Sequence, residues 1–506
     1  MNLHLAREGT KIMLLIFLAG LAATGHYACD RDLVTIEGIA AAAKSSLSDR
    51  YTVYSGSLVA VPTSTGGAVN PSSRYFSVHV DRASFPDGLC ALVDKVAQGN
   101  CVQHPALCNV SLCNAAYTLA PTDALVWLGC TPPPSIYFSW QSYVLIRLRP
   151  KAFVPWAEYG DTLNHVVLNT SARRPWNSTS AIIVSADVHT IQQTSAALVA
   201  AGLESSAHNF DVINASLLHL ERPHVPGLVD RPDFLQTFVR VAEPASAEQL
   251  TEYLNVSWPV LLLRAREEAA FEQHAVPPLR NLKTGVNESA LAPPLAQLRE
   301  AVLAHYGARN RSLLSAEPVQ QYHLDADLSD DLRCLVDPSF DPEPLPLDPN
   351  ATTNRTGCGA ATRDCLYTGV TAPSTLFLTS GRVLVLLGVN HRRTRKSAYG
   401  NLMLSAYVGA KFTDYKYSVT INETDMQGSA HQYVPELPDD VAQNLFAVSF
   451  ARDCSELGVS ACKVVGEAVI GSSERLAVLG RDYLDVLSAA HPDFGEMEPS
   501  QLLILG

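Results

Sequence analysis

The chain reads as an α+β protein in three parts: a disulfide-bonded N-terminal α+β region, a ferredoxin-like βαβ-βαβ middle, and a C-terminal, mainly antiparallel β meander. Three observations predict this. Cysteines crowd between positions 90 and 130, two strand-helix-strand passages follow one another between Ala181 and Arg266, and short apolar runs separated by turn signals fill the stretch beyond residue 371. A length of 506 residues implies two or three domains, placed at 26–150, 151–310 and 371–506, with 311–370 as a linker or loop.

Residues 1–25 have the layout of a signal peptide. Arg7 and Lys11 precede an apolar run from Ile12 to Ala23, and small residues follow. The run is shorter than the roughly 20 residues a spanning helix needs, so the leader is expected to be cleaved. No stable membrane span is expected afterwards.

Cysteines 29, 90, 101, 108, 113, 130, 334, 358, 365, 454 and 462 cluster locally. Entry into an oxidising compartment makes disulfides the expectation. Cys358 with Cys365 and Cys454 with Cys462 are spaced to bridge tight turns, while Cys90, Cys101, Cys108, Cys113 and Cys130 are expected to pair among themselves in an order the sequence leaves open. The count is odd, and Cys29 or Cys334 is the expected unpaired thiol. No CxxC pair exists, so no metal is assigned.

Ala124–Cys130 reads as a strand stopped by the proline run after Thr131. From Tyr137 to Arg149 the residues alternate with period two, with Phe138, Trp140, Val144, Ile146 and Leu148 expected on the core. The opposite face carries Tyr137, Gln141, Tyr143, Arg147 and Arg149. It reads either as the lining of a ligand groove or as sheet surface covered by another element.

In the middle, Ala181–Ser185 leads into a helix over 187–201 closed by Gly202, then a strand at Phe210–Ile213. Leu235–Ala242 leads into a helix capped by Ser246 with Gln249 three residues on, then a strand at Pro259–Leu263. Pro294–Tyr306 has helical apolar spacing. Asp337–Asn350, rich in proline and aspartate, reads as an exposed loop. Strands are expected at Arg382–Asn390, Asn401–Val408, Tyr415–Ile421 and Leu445–Phe450.

A formal charge of −13, becoming −14 when Arg7, Lys11 and Glu8 leave with the leader, repels phosphate backbones and argues against nucleic acid as a partner. Ten N-x-S/T sequons stand at Asn109, Asn169, Asn177, Asn214, Asn255, Asn287, Asn310, Asn350, Asn354 and Asn422. This is well above chance, so N-linked glycans are the expected partners, and occupied sites must face solvent.

Standard catalytic signatures are absent from the sequence, and no cofactor is assigned. The best local candidate runs from Gly388 to Tyr399, where an apolar strand ends. His391 is the expected acid-base catalyst. Arg392, Arg393, Arg395 and Lys396 form a dense basic cluster suited to an anionic substrate, with Tyr137 and Tyr143 as further candidate substrate contacts; a solvated hairpin or a processing site is the competing reading. His208, His219 and His224 lack ligand spacing for a metal, and the acidic run from His323 to Asp331 lacks the glycine and closing glutamate of a calcium loop. The expectation is an extracellular enzyme, hydrolase-like, acting on an anionic or polar substrate. The alternative is a noncatalytic extracellular or cell-surface binding or structural glycoprotein.

Overall fold

The computed structural model describes residues 29–61, 70, 73–84, 112–147, 157–221, 232–267, 270–321, 362–370, 376–407 and 415–506. Outside these residues lie the leader, Cys90, Cys101, Cys108, Cys334 and Cys358, the sequons at Asn109, Asn350 and Asn354, Leu148, Arg149, His224 and the acidic and proline-rich runs of 323–350. The side chain of Cys113 is also outside the description.

The chain builds, in order, α1 (Leu33–Leu47), β1 (Tyr51–Ala60), β2 (Ser73–Val80), β3 (Ala124–Cys130), β4 (Ser135–Ile146), β5 (Ala157–Glu158), β6 (Leu163–Asn164), β7 (Thr179–Ser185), α2 (Val188–Ala200), β8 (His208–Val212), β9 (Phe234–Pro244), α3 (Ala247–Leu254) and β10 (Trp258–Ala265). These ten strands form one large sheet in the order β5-β4-β9-β2-β1-β10-β3-β7-β8, with β6 beside β4. Strands from both sides of residue 150 share it.

Local sequence starts the helices as expected. Asp187 caps α2 by accepting from the Thr190 N–H at 2.7 Å, and Ser246 caps α3 through the Gln249 N–H at 3.2 Å. Gly202 takes φ +100° just past α2, the left-handed conformation glycine adopts without Cβ strain.

The ferredoxin-like layout is not what these units make. β7 and β8 are parallel neighbours around α2, but β2 and β1 intervene between β9 and β10. Three successive antiparallel pairings leave β9 and β10 running in opposite directions. The early strands β1 and β2 have inserted into the middle of the sheet, a long-range pairing that local periodicity does not encode.

The second half comprises α4 (Ala292–Gly307), β11 (Leu313–Pro318), β12 (Gln320–Gln321), β13 (Cys365–Val370), β14 (Val383–Val389), β15 (Tyr399–Tyr407), β16 (Tyr415–Ile421), β17 (Leu445–Ala451), β18 (Cys462–Val464), β19 (Arg475–Tyr483) and β20 (Gln501–Leu505). Instead of one meander there are two five-stranded sheets, β11-β20-β14-β17-β18 and β12-β13-β19-β15-β16, antiparallel except for β17 with β18. Leu384, Leu386, Phe446 and Val448 of the first meet Leu402, Leu404 and Val478 of the second in one core. The other face of the first is covered by Leu295, Leu298, Val302 and Tyr306 of α4.

The ten-stranded sheet buries both faces. Ile36, Ile39 and Leu47 of α1 and Ile191 and Leu198 of α2 pack with Phe138, Trp140, Val144 and Ile146, the side of β4 expected in the core. Its other side meets the sheet containing β13, β15 and β19: Tyr137 and Ala242 pack with Cys365, Tyr399 and Tyr483. The polar face of β4 is thus a layer between sheets, and Tyr137 and Tyr143 are fully buried in it.

Two disulfides join described residues. Cys454–Cys462 forms as expected. Cys130, expected to pair with the cysteines from 90 to 113, is instead bonded to Cys29, which therefore is not the odd thiol. Cys365 is also corrected: it is a free, buried thiol, not half of a turn bridge with Cys358. It opens β13 with its side chain among Tyr137, Tyr399 and Tyr483, where burial pushes the thiol pKa up and keeps it neutral. No helix among the described residues is long and apolar enough to cross a membrane.

Candidate functional site

β14 is apolar throughout (Val383–Val389) and ends where the chain leaves the sheet, so residue 391 is carried to the rim of the sandwich on a rigid base. His391 points back toward the segment preceding α4. Its Nδ1 lies 2.9 Å from Glu288 Oε2 and 3.0 Å from Oε1, and the two side chains are 13% and 2% exposed. Glu288 also accepts from the Thr394 hydroxyl and, at 2.9 Å, from the Glu498 backbone N–H. Burial pushes the Glu288 carboxyl upward, but His391 and these donors together outweigh it and hold the group below its ordinary value.

A carboxylate at Nδ1 assigns the proton to that nitrogen and leaves Nε2 as the acceptor of a neutral ring. Burial alone depresses the imidazolium; Glu288 and then Asp482 reverse this and raise the His391 pKa. Asp482 itself is pushed up to about 6, chiefly by burial, with Glu288 adding to the rise while His391 and a Ser397 hydrogen bond oppose it. The Glu498 carboxyl is raised for the same two reasons, burial and the Glu288 charge.

His391, Asp482 and Glu498 line one cavity together with Arg392, Asn401 and Ser500, over an apolar floor of Val389, Leu402, Met426, Phe446 and Met497. Its volume of about 30 Å³ exceeds the roughly 10–15 Å³ one water requires. A water and the end of a substrate group fit, but no large ligand does. Gly400 makes the wall possible: it stands directly across from Asp482 in the β15–β19 pair, where a Cβ would lie 2.7 Å from Asp482 Oδ1.

The basic cluster does not converge as one patch. Lys396 is 2% exposed, with its Nζ 2.6 Å from Glu496 Oε2, 3.3 Å from Asp485 Oδ2 and 2.8 Å from Thr284 Oγ1. Arg392 pairs with Glu243 at 3.1 Å at the cavity mouth. Arg393 and Arg395 are exposed, Arg393 donating to Gln443 at 2.8 Å. Tyr137 donates to Asp364 Oδ2 at 2.9 Å and Tyr143 accepts from Arg240, both inside the intersheet layer and away from the His391 cavity lining. His208 bonds Ser195 Oγ at 2.7 Å, and His219 approaches Asp233 at 3.7 Å. Among the described residues the one group with metal-ligand proximity is Cys29, Asp30 and Cys130, whose sulfurs are already bonded to each other.

Glu288, Asp482, Glu498 and Asn401 are the site residues that sequence reading missed. Asp482 had a signal, a charged Arg481-Asp482 pair following the apolar stretch Leu476–Leu479 within one strand. Glu288 sits in the middle of the Asn287 sequon, where its charge reads as surface; Asn287 itself is exposed and accepts from the Ser289 N–H and hydroxyl.

No protein-family model and no curated protein matches the chain. A solved structure of an uncharacterized protein from Burkholderia cenocepacia is similar over 94% of this chain and 90% of its own, at 11% identity and a TM-score of 0.37. A likeness that weak carries no argument about fold or chemistry.

Proposed function

We propose that the chain is a secreted, N-glycosylated enzyme that hydrolyses a polar or anionic substrate at the His391 cavity. One observation carries this reading: His391 Nδ1 is held 2.9 Å from a buried carboxylate while the ring lines the same cavity as Asp482, whose carboxyl titrates at about 6. A carboxyl raised to about 6 beside an imidazole raised above its ordinary value and oriented by a buried carboxylate supplies the base and acid that acid-base hydrolysis requires. In the proposed step the Asp482 carboxylate takes a proton from water as its oxygen bonds to the electrophilic centre. The leaving group departs with a proton supplied by the His391 imidazolium, whose charge Glu288 stabilises. Arg392 at the cavity mouth, with Arg393 and Arg395 on the same turn, supports an anionic substituent on the substrate.

The secretory part of the proposal rests on the leader, the ten sequons and the two disulfides. Asn169, Asn255, Asn287 and Asn310 are exposed, which suits glycan attachment. The noncatalytic binding or structural glycoprotein remains the second reading, favoured by the small cavity.

The test is a panel of chromogenic esters, amides, phosphoesters and glycosides assayed between pH 5 and 8 with the secreted protein. His391→Gln and Asp482→Asn are each expected to lower turnover by about 100-fold or more, with secretion intact. Full turnover in both variants, or no turnover of any class by wild type, returns the protein to the noncatalytic reading. For the secretory part, N-glycanase treatment is expected to lower the apparent mass by more than one glycan; an unchanged mass removes it.

A further inference from the structure

Independently of the His391 cavity, the geometry points to a binding site for a doubly charged tetrahedral oxyanion, phosphate or sulfate, between the ten-stranded sheet and the β13-β19-β15 sheet, held by Arg240 and Arg481. Alternation along β19 sends Asp482 toward the His391 cavity and Arg481 to the opposite face, toward this layer. Each arginine stands across from a tyrosine on the neighbouring strand, Arg240 opposite Tyr75 and Arg481 opposite Tyr367. The Arg240 guanidinium lies 5.7 Å from the Tyr75 ring centroid and 5.5 Å from that of Tyr143; Arg481 lies 5.9 Å from that of Tyr367. Ala242, two residues along β9 from Arg240, and Tyr483, two residues along β19 from Arg481, pack in one cluster, which sets the two arginine-bearing strands against each other across the layer.

Arg240 is 4% exposed and its Nη1 has no hydrogen-bond partner, while Nη2 donates to the Tyr143 hydroxyl. Arg481 donates through Nη1 to the Met403 thioether at 3.7 Å. Neither guanidinium pairs with a carboxylate among the described residues, unlike the buried Arg147, which grips Asp233 at 2.6 Å. The tyrosines do not neutralise them, because burial pushes the Tyr143, Tyr367 and Tyr483 hydroxyls well above their ordinary range. Tyr367 and Arg481 are partly exposed, so this part of the layer is reached by solvent. Two cations in this layer, Arg240 only 4% exposed and neither paired with a carboxylate among the described residues, are costly to desolvate, and two guanidinium forks match the charge and oxygen geometry of a tetrahedral dianion.

Isothermal titration of the full-length protein in chloride buffer tests this, using inorganic phosphate, inorganic sulfate, phenyl phosphate and phenyl sulfate as probes and nitrate as the singly charged control. Saturable binding of at least one dianion is expected, and nitrate should not saturate. Phosphate preference over sulfate, or ester preference over the free ion, identifies which source the site takes. Arg240→Gln and Arg481→Gln should each weaken binding by about tenfold or more, as expected for loss of a charge-assisted contact, with the exposed Arg173→Gln unchanged. If Arg240→Gln fails to fold, the partly accessible Arg481 carries the same comparison. No saturable dianion binding by wild type, or equal binding by Arg481→Gln, overturns the site.

Discussion

Gly400 and Asp482 face each other across the β15–β19 pair, and the missing Cβ is what lets the Asp482 carboxylate lie against the neighbouring strand inside the His391 cavity. That close packing strips the carboxylate of water, the largest cause of its rise from 3.8 to about 6.

The rise makes Asp482 a pH-dependent liability of known sign. A carboxyl whose pKa is higher in the folded than in the unfolded chain favours the fold while protonated, and that contribution is lost as pH rises through about 6. Asn resembles the protonated form at every pH. Relative to wild type, Asp482→Asn should therefore gain stability between pH 4 and pH 8, by about 2 kcal/mol. Urea denaturation of both proteins at the two pH values measures the gap, and a gap that stays constant would show that Asp482 is not desolvated.

Glu288 holds His391 above its ordinary pKa against the effect of burial. Glu288→Gln keeps the shape and removes the charge, so the His391 midpoint should fall by about one unit or more. Imidazole NMR titration reads this directly in the intact protein. An unmoved midpoint would place the control elsewhere, since Asp482 is the other acidic contributor.

Much of the local structure was legible. Asp187, Ser246 and Gly202 announced the ends of α2 and α3, because caps satisfy backbone groups within a few residues. His391 was legible as a polar group at the end of an apolar strand. Its partners were not: Glu288 lies 103 residues upstream, and pairings at that separation depend on how sheets stack. The same limit explains Tyr137 and Tyr143. Their alternation revealed a strand with a polar face, but the second sheet that covers that face comes from residues 365–483, and its own polar side chains meet them. Cys365 illustrates the converse, since its nearness in sequence to Cys358 outweighed a strand context that buries it.

Lys396 belongs to the structure more than to a substrate patch. It bridges Glu496, Asp485 and Thr284 from a position 2% exposed. Lys396→Met leaves the buried Asp485 carboxylate without its cation, and the expected cost is about 3–5 kcal/mol. Chemical denaturation checks it; a cost below about 1 kcal/mol, the value of an exposed pair, would mean that water already screens the network.

The two disulfides should differ in what they contribute. Cys29–Cys130 closes a separation of 101 residues and Cys454–Cys462 one of 8. If cross-links act by restricting the unfolded chain, removing the first costs about 4.7 kcal/mol and removing the second about 2.5. Cys29 also anchors the chain just before α1, with the adjacent Asp30 accepting from the Thr179 N–H and hydroxyl at 2.6 Å. These contacts keep that end near β7 even without the bond, which trims the first cost but leaves the order intact. Double alanine replacement at each pair, followed by urea denaturation, tests the ranking. A larger loss from the short loop would assign the stabilisation to local packing of the turn before β18 instead of chain entropy.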